Sequence, residues 1–199
     1  MNDVTAPPRL GLTPWQTVGP FFHYALPWEG GENLVREGVQ GERIVVRGRV
    51  LDADGAPIPD ALVEIWQANA AGRYDHPEDC QADRPIDPAF IGFGRCPTDD
   101  DGMFAFHTVR PGQVPGPGNS MQAPHIALGL FGRGLLRRLV TRIYFPESEG
   151  NAVDPILGLV EPDRVGTLMA TREGEQDGMP VYRFDIHIQG ANETVFFDV

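Results

Sequence analysis

Residues 42–50 read ERIVVRGRV, and their alternation decides the fold class. Ile44, Val46 and Val50 recur with period two, the spacing that lays apolar side chains on one face of a half-buried β-strand. Turn residues follow at DADG and again at APIPD, after which ALVEIWQ, residues 61–67, reads as a second strand. Further along, the TDDDG turn at residues 98–102 leads into MFAFHTV, and HIALGLF, LVTRIYF and VYRFDIHIQ repeat the pattern. ETVFFDV closes the chain as one more strand candidate.

Between these runs lie two long connections, residues 68–97 and the proline- and glycine-rich RPGQVPGPGNS. Loops of such length are uncommon unless they build a site or an interface. A helix is expected over EPDRVGTLMATR, residues 161–172, where Pro162 suits a first helical position and Val165, Leu168 and Met169 share a face. With 24 glycines and 19 prolines, the chain is punctuated in a way that suits many short strands. The expectation is a mainly β chain: a β-sandwich with long irregular loops and one or two short helices, forming one domain over residues 1–199.

At 199 residues and 41% hydrophobic content, one well-buried core is affordable. No apolar run approaches the roughly 18 residues that span a bilayer, and MNDVTAPPRL lacks the pattern of a secretory signal, so a soluble, cytoplasmic chain is expected. Cys80 and Cys96 lack the close spacing of redox or zinc pairs and read as reduced thiols. A net charge of −12 repels nucleic acid and anionic membrane surfaces, which excludes both as partners. The same field opposes an anionic substrate unless a local cationic patch overrides it.

Five histidines invite a search for a metal site. In QAPHIALGL, residues 122–130, a second histidine two positions after His125 would aim two imidazoles at one ion, but that seat holds Ala127. His107 and His187 sit inside alternating strands and read as core or edge histidines. His76 reads as a loop histidine near acidic residues, and His23 could contact another chain. There is no G-x-S-x-G elbow, no cysteine in a nucleophile setting, and GFGRC lacks the context of a dinucleotide fingerprint. Residue by residue, the chain reads as a sandwich without a self-contained active site.

Several stretches considered together add a family. TPWQTVGPFF, VRGRVLDADGAPIPDALVEIWQANAAGRY, GRCPTDDDGMFAFHTVRPG, APHIALGLFGRG, TRIYFPE and YRFDIHIQGANETVFFD occur in order from about Thr13 to Val199. In that arrangement the chain resembles the intradiol ring-cleavage dioxygenases, and within them the branch that pairs two homologous chains, α and β, to cleave protocatechuate. The resemblance implies that iron-bearing members hold Fe(III) with two tyrosines and two histidines, anionic phenolates suiting the ferric state. Carried over, the first tyrosine falls on Tyr74 and the first histidine on His125. The second tyrosine falls on Val114, the second histidine on Ala127, and the arginine preceding the histidines on Gln122.

Valine and alanine offer no donor atoms, so the resemblance implies a chain that binds no metal and keeps Tyr74, Val114, His125 and Ala127 as vestigial ligand positions. Fe(III) would then be carried by the homologous β chain in a large αβ hetero-oligomer acting on protocatechuate and dioxygen. Residues 1–40 are expected to pack on that partner. For the substrate pocket the resemblance implies Arg133, Thr17, Gly19, Pro20 and Phe21, the last standing where related chains carry tyrosine. A guanidinium at Arg133 suits the ring carboxylate. Arg133 also heads a local cationic cluster with Arg137, Arg138 and Arg142, within which Arg137 and Arg138 read as pairing with acidic neighbours on a solvated face. Two other readings stay open: a self-sufficient dioxygenase recruiting His107 or His76, and a stand-alone β-sandwich binding or scaffolding module without catalytic activity.

Overall fold

The computed structural model describes residues 11–198, so the first ten residues of the expected partner-packing segment lie outside the described residues. Eleven strands carry the fold. They are β1 (Arg43–Leu51), β2 (Leu62–Trp66), β3 (Phe93–Pro97), β4 (Met103–Val109), β5 (Val114–Pro115), β6 (Met121–Gln122), β7 (His125–Phe131), β8 (Leu139–Tyr144), β9 (Thr171–Gln176), β10 (Met179–Arg183) and β11 (Ile186–His187). A short helix α1, Phe22–Ala25, precedes them. None of the described helices is long and apolar enough to cross a membrane.

β1 lies at the centre of the first sheet. Along one edge it pairs antiparallel with β4, and it pairs in parallel with β10 and then β11. The register holds across the break between β10 and β11, Val46 facing Tyr182 and Val50 facing Ile186. Gly48 makes this possible: a Cβ there would collide with the Phe184 carbonyl and crowd the Phe104 ring. β9 and β10 form a hairpin through Asp177 and Gly178, both at positive φ (52° and 76°), the Asp-Gly signature of a tight turn matched to strand twist.

The second sheet is antiparallel throughout, in the order β3-β2-β7-β8. Its inward residues, Val63, Ile65, Ile126, Leu128, Leu130 and Ile143, meet Ile44, Val46, Phe104, Phe106 and Tyr182 of the first sheet in one buried cluster. Two sheets sharing one apolar interior make the chain a β-sandwich, as expected. A smaller cluster of Ala123, Tyr144, Leu157 and Leu168 closes one end.

Three local expectations need correction. β3 lies inside the stretch read as a loop over residues 68–97, because Gly94 and Arg95 hide the alternation that Phe93 begins. The helix expected over residues 161–172 is only a 3₁₀ turn, Val165–Leu168, and β9 starts at Thr171. Leu168 is buried, and the Ala170 N–H donates to the Tyr144 carbonyl, so tertiary packing ends the turn early. ETVFFDV is not a strand: single bonds tie it down, Thr141 Oγ1 donating to the Val195 carbonyl and the Phe197 N–H to the Val140 carbonyl.

Candidate functional site

The site is built on the outer face of the second sheet. Residues paired across antiparallel strands share a face, so the register sets rows of side chains. One row runs Phe93, Trp66, Ala127 and Arg142 across β3, β2, β7 and β8; beside it, His125 pairs with Tyr144. Ala127 is thus flanked by Trp66 on one side and Arg142 on the other. The small side chain leaves the face open between an indole and a guanidinium.

A loop brings Tyr74 over this face. Asn69 anchors it, its side-chain oxygen accepting from the Ala71 and Arg73 N–H groups at 3.0 Å each and its amide donating to the Pro85 carbonyl at 2.9 Å. Gly72, at φ +80°, sits against the Gln113 carbonyl, a close approach that no other residue allows. The Tyr74 N–H then donates to Asp79 at 2.8 Å, and the phenol ring stacks on Trp66 with centroids 5.7 Å apart and planes within 9°.

Together these residues line a cleft of about 860 Å³, with Trp66 and Tyr74 along one wall, Val114, Pro115 and Gln122 along another, and His125 and Arg142 at its floor. A polar network fixes the floor. Arg142 Nη1 donates to Gln122 Oε1 (2.7 Å) and to the Tyr144 hydroxyl (3.3 Å), and that hydroxyl donates to Asp154 (3.4 Å). Buried Asp154 also accepts from the N–H groups of Ala123, Ile156 and Leu157. The Gln122 amide donates to the Pro115 carbonyl.

Burial and the Arg142 charge set the protonation states. His125, 5% exposed, is pushed down to about 4, first by burial and then by Arg142, so its ring is neutral at pH 7. Its Nδ1 lies 2.8 Å from the Ala123 carbonyl, which makes Nδ1 the protonated nitrogen and leaves a lone pair on Nε2. Burial raises the Tyr74 phenol above its ordinary value, opposed by Arg142, and pushes Tyr144 up to about 12. Both tyrosines therefore stay protonated.

Of the expected vestigial positions, the structure gathers Tyr74, Val114 and His125 around one cleft, with Ala127 in its floor strand. The family's iron does not fit these residues. Val114 and Ala127 carry no lone pairs, and a permanent cation stands beside Ala127 on the same face. Of the two histidines a self-sufficient site would recruit, His76 lines the cleft rim but His107 lies on β4 in the other sheet, paired with Val45.

Arg133, Thr17, Gly19, Pro20 and Phe21 lie elsewhere. Arg133 follows β7 at the end opposite His125, a strand length of about 20 Å away. It is 63% exposed and pairs with Asp60. Thr17, Pro20 and Phe21 are exposed in a segment bracketed by one contact with the β7–β8 connection and one with β3. The Arg137 guanidinium sits 4.1 Å from the Trp15 ring centroid, and Arg95 donates to the Leu26 carbonyl. The expected cationic cluster is a correction: Arg137 pairs with Asp198, Arg138 with Glu64, Arg133 with Asp60, and Arg142 faces the cleft.

Reading the sequence did not place Arg142 in the site. The signal was available in LVTRIYF, where Thr141 and Ile143 turn inward and period two sends Arg142 to the face that carries His125.

Comparison with known proteins adds relatives to this geometry. A family model described as dioxygenase matches residues 18–190. The chain is 42% identical to the protocatechuate 3,4-dioxygenase alpha chain of Pseudomonas putida, covering 94% of this chain and 96% of that one. It is also 46% identical to the protocatechuate 3,4-dioxygenase beta chain of Burkholderia cepacia, over 90% of this chain and 76% of that one. Among solved structures, the dioxygenase domain of a carbohydrate-binding fusion protein from Streptomyces sp. SirexAA-E superposes with a TM-score of 0.62 at 27% identity, over 90% of this chain and 99% of that one. Overall identity does not separate an alpha from a beta chain.

Proposed function

The chain belongs to the intradiol ring-cleavage dioxygenase family, and from that premise we propose that it is the metal-free α subunit of a protocatechuate 3,4-dioxygenase. The family is iron dependent. In this reading the iron sits in a homologous β chain, and the pair cleaves protocatechuate between its hydroxylated carbons with dioxygen to give 3-carboxy-cis,cis-muconate. The observation that carries it is the joint loss of donors at Val114 and Ala127 in a scaffold that otherwise keeps the family's loops and strands.

This chain's contribution is to the partner's pocket. Arg133 meets the substrate's ring carboxylate with charge-assisted hydrogen bonds. Thr17, Gly19, Pro20 and Phe21 shape the wall beside it, Gly19 at φ +77° setting the turn into α1. The segment that carries them exposes Leu12, Trp15, Val18, Phe21, Tyr24 and Trp28, more apolar surface than a lone chain keeps in water, which supports burial against a partner. A large αβ assembly follows from repeating that contact.

The test is turnover. The chain purified with a homologous β chain is expected to consume protocatechuate and dioxygen in equal amounts, and the chain alone to consume neither. Ring cleavage by the chain alone overturns the assignment.

A further inference from the structure

The cleft at Arg142 is not emptied of chemistry by the loss of iron ligands. Three polar ends there remain without a protein partner among the described residues. They are Arg142 Nε and Nη2, the Tyr74 hydroxyl, and His125 Nε2. Each belongs to a cleft-lining residue and donates to or accepts from no described group. None is among the fully buried atoms that lack a partner, so each opens onto the cleft.

We propose that this cleft is a second, metal-independent binding site whose ligand is a hydroxylated aromatic monocarboxylate. The open edge of the Arg142 guanidinium takes the carboxylate as a fork. The Trp66–Tyr74 stack and Val114 flank the ring. His125, its Nδ1 held by the Ala123 carbonyl, accepts a hydrogen bond from a ring hydroxyl through Nε2. A volume of about 860 Å³ lies within the range of small-molecule sites, about 300–1,000 Å³.

Charge decides which anion fits. No carboxylate lies within ion-pair distance of Arg142 among the described residues. Asp154 faces it only through Tyr144, with its oxygens occupied by backbone N–H groups. The floor is therefore positive inside a chain of net charge −12. Glu78, Asp79 and Asp83, also in the lining, oppose a dianion about twice as strongly as a monoanion, which favours one carboxylate with its phenol undissociated over the phosphate dianion.

The proposal goes beyond the assigned subunit role, and its test does not depend on turnover. The pair of chains, with iron in the β chain, is titrated with 3-fluoro-4-hydroxybenzoate, which is no catechol, and followed by fluorine NMR. Ligand beside Fe(III) is broadened by the paramagnetic ion; ligand in this cleft is not. The expected result is a saturable, unbroadened bound signal whose affinity falls about tenfold or more in Arg142→Met. Ring-cleavage turnover stays at the wild-type value and reports that the variant is folded.

Should Arg142→Met fail to assemble, Arg142→Lys keeps the charge without the fork and is expected to bind several-fold more weakly. Absence of an unbroadened bound signal, equal affinity in wild type and variant, or inorganic phosphate displacing the probe as well as 4-hydroxybenzoate does would each overturn the proposal.

Discussion

Ala127 of β7 pairs directly with Arg142 of β8, so the position that resembles a ferric ligand's seat is neighboured by a guanidinium on the same face. The pairing separates two ends of one sandwich. At the His125 end lies a cleft whose charge and donor set reject a ferric ion. At the other end lie Arg133 and the exposed amino-terminal segment, the surface proposed to complete the partner's pocket.

Rebuilding the donor set should bring in a metal only once the neighbouring cation is removed as well. Val114→Tyr with Ala127→His leaves the Arg142 cation beside the new ligands, and this double variant is expected to take up little iron. Adding Arg142→Ala removes the cation, and the triple variant should bind about one ferric ion per chain with a visible phenolate-to-iron band. A colourless triple variant that is folded by circular dichroism would show that the cleft fails for another reason.

Arg133→Ala acts at the opposite end. In the assembled pair its KM for protocatechuate is expected to rise by roughly tenfold, the lower range for a charged contact reached by solvent, with iron content unchanged. Steady-state kinetics beside metal analysis check this. Unchanged KM assigns the exposed guanidinium to its ion pair with Asp60 alone.

Gly48→Ala tests the fold. The added methyl meets the Phe184 carbonyl at the break between β10 and β11, where backbone must move, so a loss of about 3 kcal/mol or more is expected in denaturant unfolding. A loss below about 1 kcal/mol would mean that β1 and β10 tolerate separation there.

Much of the scaffold was legible because strands leave short apolar runs bounded by turn residues: β1, β2, β4, β7, β8 and β10 all coincide with such runs, with the cleanest period two in β4. β9 escaped notice since all its residues are exposed, and the hairpin through Asp177 and Gly178, not an apolar face, defines it. The vestigial positions could be found one at a time. Their environment could not, because it depends on strand pairing: the sequence groups Arg142 with Arg133, Arg137 and Arg138, and only the pairing of β8 with β7 sets it beside Ala127.

His125 gives a pH signature. In the unfolded chain it titrates near its ordinary 6.5, and in the folded chain near 4, so the unfolded state takes up the proton first as pH falls. Its contribution is fully present above about 6.5 and is lost between there and about 4, roughly 3 kcal/mol by linkage. Unfolding free energies of wild type and His125→Asn should converge by this amount over that window. Parallel pH profiles would mean that the ring titrates normally in the folded chain.

Iron counted per polypeptide is the most direct measurement of where the metal resides. The chain is purified alone and together with its β partner, and each preparation is assayed for iron by mass spectrometry and for visible absorption. The chain alone should carry none and be colourless, while the pair carries about one ferric ion for each β chain. One tightly held iron per chain in the chain alone, with the colour of a tyrosinate-bound ferric ion, would contradict the assignment of this subunit as metal-free.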